Sequence, residues 1–253
     1  MKQRMMVIGH TGGIGKALIA KSRQEGWWVM GASRGSAPDA EPIDSELSVD
    51  ITLPQDRRRL ITAIVENEIN VVVFAAGTPH FSSTASVSDS EIDRVLNCNL
   101  LAPMAITSGL LADTANLFSV KTLLYVGSTV GDIGLPGYSA YGASKSGLHR
   151  YVESLRREMA GGQIAFKLII PRATETKFNS ALAAAYGSAT GASVDTPEFV
   201  AQAIFGVITG KQATKSVGSL ESIFAKINQL FGAWIDFAFK KHALALKDLK
   251  QQR

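Results

Sequence analysis

The sequence predicts an α/β fold: one doubly wound, mainly parallel seven-stranded sheet with helices on both faces. Three observations predict it. Short, nearly unbroken hydrophobic runs alternate with segments of helical period from one end of the chain to the other. The clear runs are followed within two residues by Gly, Ser or Pro, as expected of strands buried on both faces that end at a ligand crevice. With 253 residues and 46% hydrophobic content, the chain is long enough to bury one large core without dividing.

Taken in order, the clear strands are Met5–Ile8, Trp27–Ala32, Val71–Ala75, Thr122–Val126 and Phe166–Ile170, with weaker ones at Leu47–Val49 and Lys215–Val217. Helices are expected at about 13–25, 54–67, 89–117, 139–160 and 197–209. Thr196 should cap the last of these, with Pro197 at its first position. The stretch from Pro171 to Thr196 is rich in Ala, Gly and Ser without a strong period, and predicts a mobile loop or lid. Residues 1–219 are expected to form the main domain, and 220–253 a helical extension.

Composition excludes several chemistries. A single cysteine, Cys98, cannot form an intramolecular disulfide, and four scattered histidines give no clustered metal-ligand pattern, so no metal site is expected. Cys98 has no basic partner nearby in sequence and reads as a small buried hydrophobe. The net charge of +4 resides mostly in the tail: residues 220–253 hold six basic groups against three acidic, leaving 20 against 19 in the rest. Such a neutral body offers no footprint for nucleic acid. The N-terminus lacks the pattern of a signal peptide, and no run is expected to reach the ~18 apolar residues of a membrane span, so a cytoplasmic location is expected.

After the first strand the chain reads Gly9-His10-Thr11-Gly12-Gly13-Ile14-Gly15 and enters a helix. Glycines let a backbone turn tightly against a pyrophosphate, while the helix start supplies unpaired N–H groups. His10 either contacts phosphate or does not; the sequence leaves both open. The second strand ends in Ser33-Arg34 where an acidic residue would hold a ribose 2′-hydroxyl, and an arginine suits a 2′-phosphate, favouring NADP(H) over NAD(H). Asp50, followed by Ile51, either caps the helix at 54–67 or bonds the adenine amino group.

Tyr141-Gly142-Ala143-Ser144-Lys145 falls in a predicted helix, so Tyr141 and Lys145 share a face one turn apart. A free phenol titrates near about 10, and one that works as a base near neutrality needs the help of a cation. Thirteen residues upstream of Tyr141, the strand ending Tyr125-Val126 gives way to Gly127-Ser128, which places a hydroxyl at the crevice.

With these residues in place the chain resembles the short-chain dehydrogenase/reductase family over about residues 5–210. The resemblance rests on Gly9, Gly13 and Gly15; Ala75-Ala76-Gly77; Asn99 in Asn97-Cys98-Asn99-Leu100; Ser128; Tyr141 with Lys145; and Pro171 with Thr176. It implies a Rossmann-like fold, a dimer or tetramer joined through long helices, and a tetrad of Asn99, Ser128, Tyr141 and Lys145. In that tetrad Tyr141 exchanges the alcohol proton and Ser128 polarises the carbonyl. Lys145 lowers the phenol's pKa and holds the nicotinamide ribose, while Asn99 anchors a relay water. The resemblance also extends the coenzyme site to Ala75, Ala76, Gly77, Pro171, Thr174 and Thr176. The chain departs from the family at three places: Ile8 stands for the usual threonine, Ala75 for asparagine, and Arg172 for the glycine after Pro171. Arg172 either crowds the nicotinamide pocket, binds an anion or turns outward.

The expected substrate wall is apolar: Val130, Ile133, Leu135 and Tyr138 on one side, Phe178 and Tyr186 on the other, with Ser128 and Tyr141 at its end. It favours a small, uncharged carbonyl or alcohol substrate. His80 and Phe81 either line the mouth or belong to a surface loop, and His149 reads as helix packing. In the tail, Leu220, Ile223, Phe224, Ile227, Leu230, Phe231, Trp234, Ile235, Ala238 and His242 fall on one side of a helix, opposite Lys226, Gln229, Asp236, Lys240 and Lys247. That stripe packs on protein or rests on an anionic membrane surface. The leading function is carbonyl–alcohol interconversion; a nonenzymatic NADP(H) sensor and an epimerase or dehydratase are its rivals.

Overall fold

The computed structural model describes residues 3–36, 42–112, 119–218, 227–228, 236 and 239–251. Seven strands form one parallel sheet: β1 (Arg4–Ile8), β2 (Trp28–Ser33), β3 (Ser45–Ser48), β4 (Val71–Phe74), β5 (Thr122–Val126), β6 (Ala165–Ile170) and β9 (Thr214–Ser216). Their order is β3-β2-β1-β4-β5-β6-β9, so the winding direction reverses between β1 and β4. In open α/β sheets that reversal opens a crevice at the carboxyl ends of the strands.

Alternation along each strand sends side chains to opposite faces, and each face has its own core. Met6, Ile8, Val72, Phe74, Leu123 and Tyr125 pack with residues from α2 (Pro54–Glu66), α3 (Asp89–Ala112) and α4 (Ser139–Glu158). Met5, Val7, Val73 and Leu124 pack on the other side with α1 (Gly13–Gln24) and α6 (Pro197–Thr209). A capping box starts α3: Ser88 Oγ accepts from the Glu91 amide, and the Glu91 carboxylate accepts from the Ser88 amide. Thr196 caps α6 as expected, with Pro197 in the first turn.

α3 corrects one expectation. By length and composition it is apolar enough to cross a membrane, with a mean hydropathy of 1.5 over 18 residues. Here Ala102, Ile106 and Leu110 pack into the sheet's core, and its polar Asn99 and Thr107 are buried in hydrogen bonds.

The stretch 171–196 corrects another. It contains β7 (Ala173–Thr174), β8 (Val194–Asp195) and, between them, α5 (Ala181–Thr190), with β7 and β8 paired in parallel. Ser180 accepts from the Ala183 amide at the start of α5, and Gly191 ends it at φ 73°, a left-handed conformation that glycine adopts without steric cost. The alanines read as featureless in sequence are strong helix formers.

The C-terminal stripe is only partly within the described residues. Leu220, Ile223, Phe224, Leu230, Phe231, Trp234, Ile235 and Ala238 lie outside them, as do Lys226 and Gln229. α7 (Lys240–Gln251) packs against α5, where the Tyr186 hydroxyl and His242 Nδ1 are 3.0 Å apart.

Candidate active site

Gly9 opens the turn after β1 at φ 91°, and a Cβ there would lie 2.5 Å from the Ala76 backbone. Bare glycine thus lets the β1 turn pass directly over the β4 turn, where the Ala75 amide donates to Ile8 O at 2.9 Å. A Cβ on Gly15 would meet His10 Cα at 2.8 Å, and one on Gly13 would collide with Thr176 Cγ2, so α1 begins pressed between its own turn and the segment after β6. Gly12 is the N-cap of α1 and offers no side-chain cap, nor does the first turn carry an acidic residue. The first amides of α1 consequently keep their donors and the helix dipole uncompensated, an arrangement that fits a pyrophosphate.

Within this turn the side chains divide. Ile14 packs into the core beside α1 and α6. The buried His10 imidazole turns beneath the sheet edge, against Gly31, with Nε2 2.9 Å from Glu46 Oε1. The His10 side chain thus pairs with β3 through Nε2. Arg34, exposed just past β2, has no ion pair among the described residues, and the Ser33 hydroxyl donates to Gly35 O. Asp50 Oδ1 accepts from the Thr52 amide and hydroxyl at 2.9 and 2.7 Å, and Ile51 is a core residue. Asp50 thus braces the turn before α2, whose N-cap is Leu53.

β5 delivers Ser128 to the same crevice, and α4 delivers Tyr141 and Lys145. Burial pushes the Tyr141 phenol well above the ordinary tyrosine range; the Ser128 hydroxyl beside it works against that rise, and Tyr138 adds to it. Burial lowers the Lys145 ammonium to about 8, with Cys98 opposing. Its Nζ donates to Val126 O at 2.9 Å and lies 5.8 Å from the centre of the Tyr141 ring. Phenol, ammonium and hydroxyl are therefore neighbours.

Asn99 sits in a π turn, Asn97–Leu101, inside α3. Its Oδ1 accepts from the Thr78 amide at 2.7 Å, and its Nδ2 donates to Thr78 O at 3.0 Å and to Ser144 Oγ at 3.1 Å. Ser144 in turn donates to Tyr141 O at 2.7 Å. Asn99 thus ties the turn after β4 to the helix of Tyr141, and its side chain is committed to protein partners. The role of Ser144 was not read from the sequence; its position between Tyr141 and Lys145 in the motif was the available signal.

Phe178 stands against the Tyr141 ring with centroids 5.9 Å apart, and Gly77 lies between Phe178 and Asn99. Tyr138, Phe81 and Tyr186 continue an aromatic wall, with centroids 4.7 Å apart for Phe81 and Tyr138 and 5.1 Å for Phe81 and Tyr186. Phe81 therefore packs between Tyr138 and Tyr186. Val130 lies against Gly142 of α4. Thr174 is buried, its hydroxyl donating to Arg172 O, while Pro171 O accepts from the Thr129 amide. Arg172 turns to Asp195: its Nε and one terminal nitrogen donate to the two carboxylate oxygens at 2.9 and 2.7 Å.

The fold has counterparts among known proteins. The short chain dehydrogenase family model matches residues 3–187, and the chain belongs to that oxidoreductase family. It is 26% identical over 224 residues to the ketoacyl reductase HetN of Nostoc sp., covering 84% of this chain and 73% of that protein. To the 3-oxoacyl-(acyl-carrier-protein) reductase FabG of Vibrio cholerae it is 24% identical, over 70% of this chain and 75% of that one. A short-chain dehydrogenase from Burkholderia cenocepacia, solved in complex with NADP, superposes with a TM-score of 0.80 over 94% of this chain and 98% of its own, at 16% identity.

Proposed function

We propose that the chain is an NADP(H)-dependent oxidoreductase interconverting a carbonyl and an alcohol on a small, apolar substrate, with Tyr141 as general acid and base. The observation that carries this is the buried Tyr141 phenol held beside the Ser128 hydroxyl and the Lys145 ammonium, at the crevice that also holds the uncapped glycine turn.

The nicotinamide coenzyme would exchange a hydride with the substrate carbon. In reduction, Ser128 donates a hydrogen bond to the carbonyl oxygen and Tyr141 Oη delivers the proton that makes it an alcohol. In oxidation the phenolate takes that proton back, stabilised by the Lys145 charge. The amides of the glycine turn, with Thr176 over it, would hold the pyrophosphate, and Asn99 keeps the turn after β4 in register with α4. Arg34 at the end of β2 supports NADP(H) over NAD(H), as does the NADP bound to the Burkholderia relative. The aromatic wall of Phe81, Tyr138, Phe178 and Tyr186 favours lipophilic carbonyl compounds, in keeping with the ketoacyl reductases among the relatives.

The test follows NADPH absorbance with a panel of ketones and aldehydes, including acyl thioesters. Wild type should turn over at least one of them. Tyr141→Phe should lower kcat by about a hundredfold or more while NADPH binding, read by fluorescence, is retained. Equal rates for the two proteins, or no binding of either nicotinamide coenzyme, would refute the proposal.

A further inference from the structure

The turn that carries Ser128 is pinned by its own backbone amides. Gly127 N donates to Ile169 O at 2.7 Å, Thr129 N to Pro171 O at 3.0 Å, and Gly131 N to Ser128 O at 2.8 Å. Ser128 N differs from these, because it donates to a side chain: Nε2 of His149, at 3.3 Å. Among these four acceptors the imidazole alone can take up a proton.

His149 lies on α4, one turn beyond Lys145, and is buried. Its Nδ1 is 2.9 Å from Asp132 Oδ1. A carboxylate only accepts, so Nδ1 carries the proton; Nε2 is then a bare lone pair, as the Ser128 amide requires. The ring is clamped between two glycines. A Cβ on Gly131 would lie 2.8 Å from His149 Cε1, and one on Gly127 would collide with Nε2. The neutral Nδ1–H form satisfies both neighbours at once. The cation would keep Asp132 but set an N–H against the Ser128 N–H.

We infer that His149, oriented by Asp132, is a positioning residue for Ser128, holding its turn in place only while the imidazole is neutral. The inference rests on the proposed carbonyl–alcohol reaction, in which the Ser128 hydroxyl must meet the substrate oxygen. The charged groups on the elements around the imidazole have other commitments. Lys145 donates to Val126 O, Lys167 of β6 donates to carbonyls at the end of α6, and Arg172 after β6 pairs with Asp195. Among the described residues, Asp132 is the charged group hydrogen-bonded to the ring, whereas the sequence alone reads His149 as helix packing.

Two measurements test this. In amide NMR spectra of the free protein, which need neither coenzyme nor substrate, the Ser128 resonance should move in step with the His149 ring as pH is lowered. That response should vanish in His149→Gln, whose side-chain oxygen can accept the same hydrogen bond without titrating. In turnover, His149→Leu should lower kcat about tenfold or more with the NADPH Kd unchanged. His149→Gln should recover most of kcat and lose the acid limb of the pH profile. If His149→Leu does not fold, Asp132→Ala, which removes the acceptor of the Nδ1 proton, takes its place, with the same expected fall in kcat. A Ser128 resonance indifferent to His149, or acid limbs identical in wild type and His149→Gln, would overturn the inference. A Tyr141→Phe protein as active as wild type, with the Ser128 response intact, would instead count against the proposed reaction alone.

Discussion

A phenol sealed from water holds its proton, and Tyr141 is sealed by Phe178, Tyr138 and the turn of Ser128. It is therefore held in the protonated form that reduction consumes, whereas ionisation requires positive charge brought close. Lys145 is one source, and its own burial has a thermodynamic signature. The folded protein holds this ammonium at about 8 against an ordinary 10.5, so between those values the unfolded chain binds more protons and stability rises with pH. Denaturant unfolding across that window should show wild type gaining stability relative to Lys145→Met; parallel curves for the two proteins would contradict this. Arg34 presents a second residue-level claim. Arg34→Ala should weaken NADPH binding about tenfold or more, as expected for loss of a charged hydrogen bond, and leave NADH binding unchanged. Similar losses for both coenzymes would show that Arg34 does not read the 2′-phosphate.

At the scale of elements, the segment after β6 holds the main surprise. Arg172, where the family has glycine, neither enters the crevice nor stands free: its guanidinium grips the buried Asp195 carboxylate across the base of α5. With the β7–β8 ladder this ties together what the sequence presents as a mobile loop or lid. Strand pairs of two residues leave no periodic trace, and a bond spanning 23 positions cannot be seen in local pattern. The α5 signals were present in Ser180 and Gly191 but were masked by small residues without an apolar stripe. Arg172→Gly should speed amide exchange across 175–193 about tenfold or more while the central strands stay protected, because it strips the partner from a buried carboxylate. Unchanged exchange there would mean that the ladder alone holds the segment. The long strands and α1, α2, α4 and α6 were legible because burial on both faces, or a single buried stripe, dictates their composition.

For the whole molecule, the sheet order places the ends of β1, β4, β5 and β6 around one crevice. Gly9, Ala76, Ser128 and Thr176, far apart in sequence, thereby meet the helix of Tyr141 and Lys145. The sequence made that convergence legible through spacing and resemblance; it could not reveal where polar side chains such as His10, Asn99 and His149 spend their hydrogen bonds, which depends on which strands adjoin. The central claim is that the Tyr141 phenol stands beside the positive ring of a bound nicotinamide. Its most direct test is a difference-absorbance titration of tyrosine ionisation, wild type minus Tyr141→Phe, with and without saturating NADP+. The account predicts that Tyr141 stays protonated beyond the ordinary tyrosine range in the free protein and ionises at markedly lower pH once the oxidised coenzyme is bound. An ionisation that NADP+ leaves unmoved would contradict it.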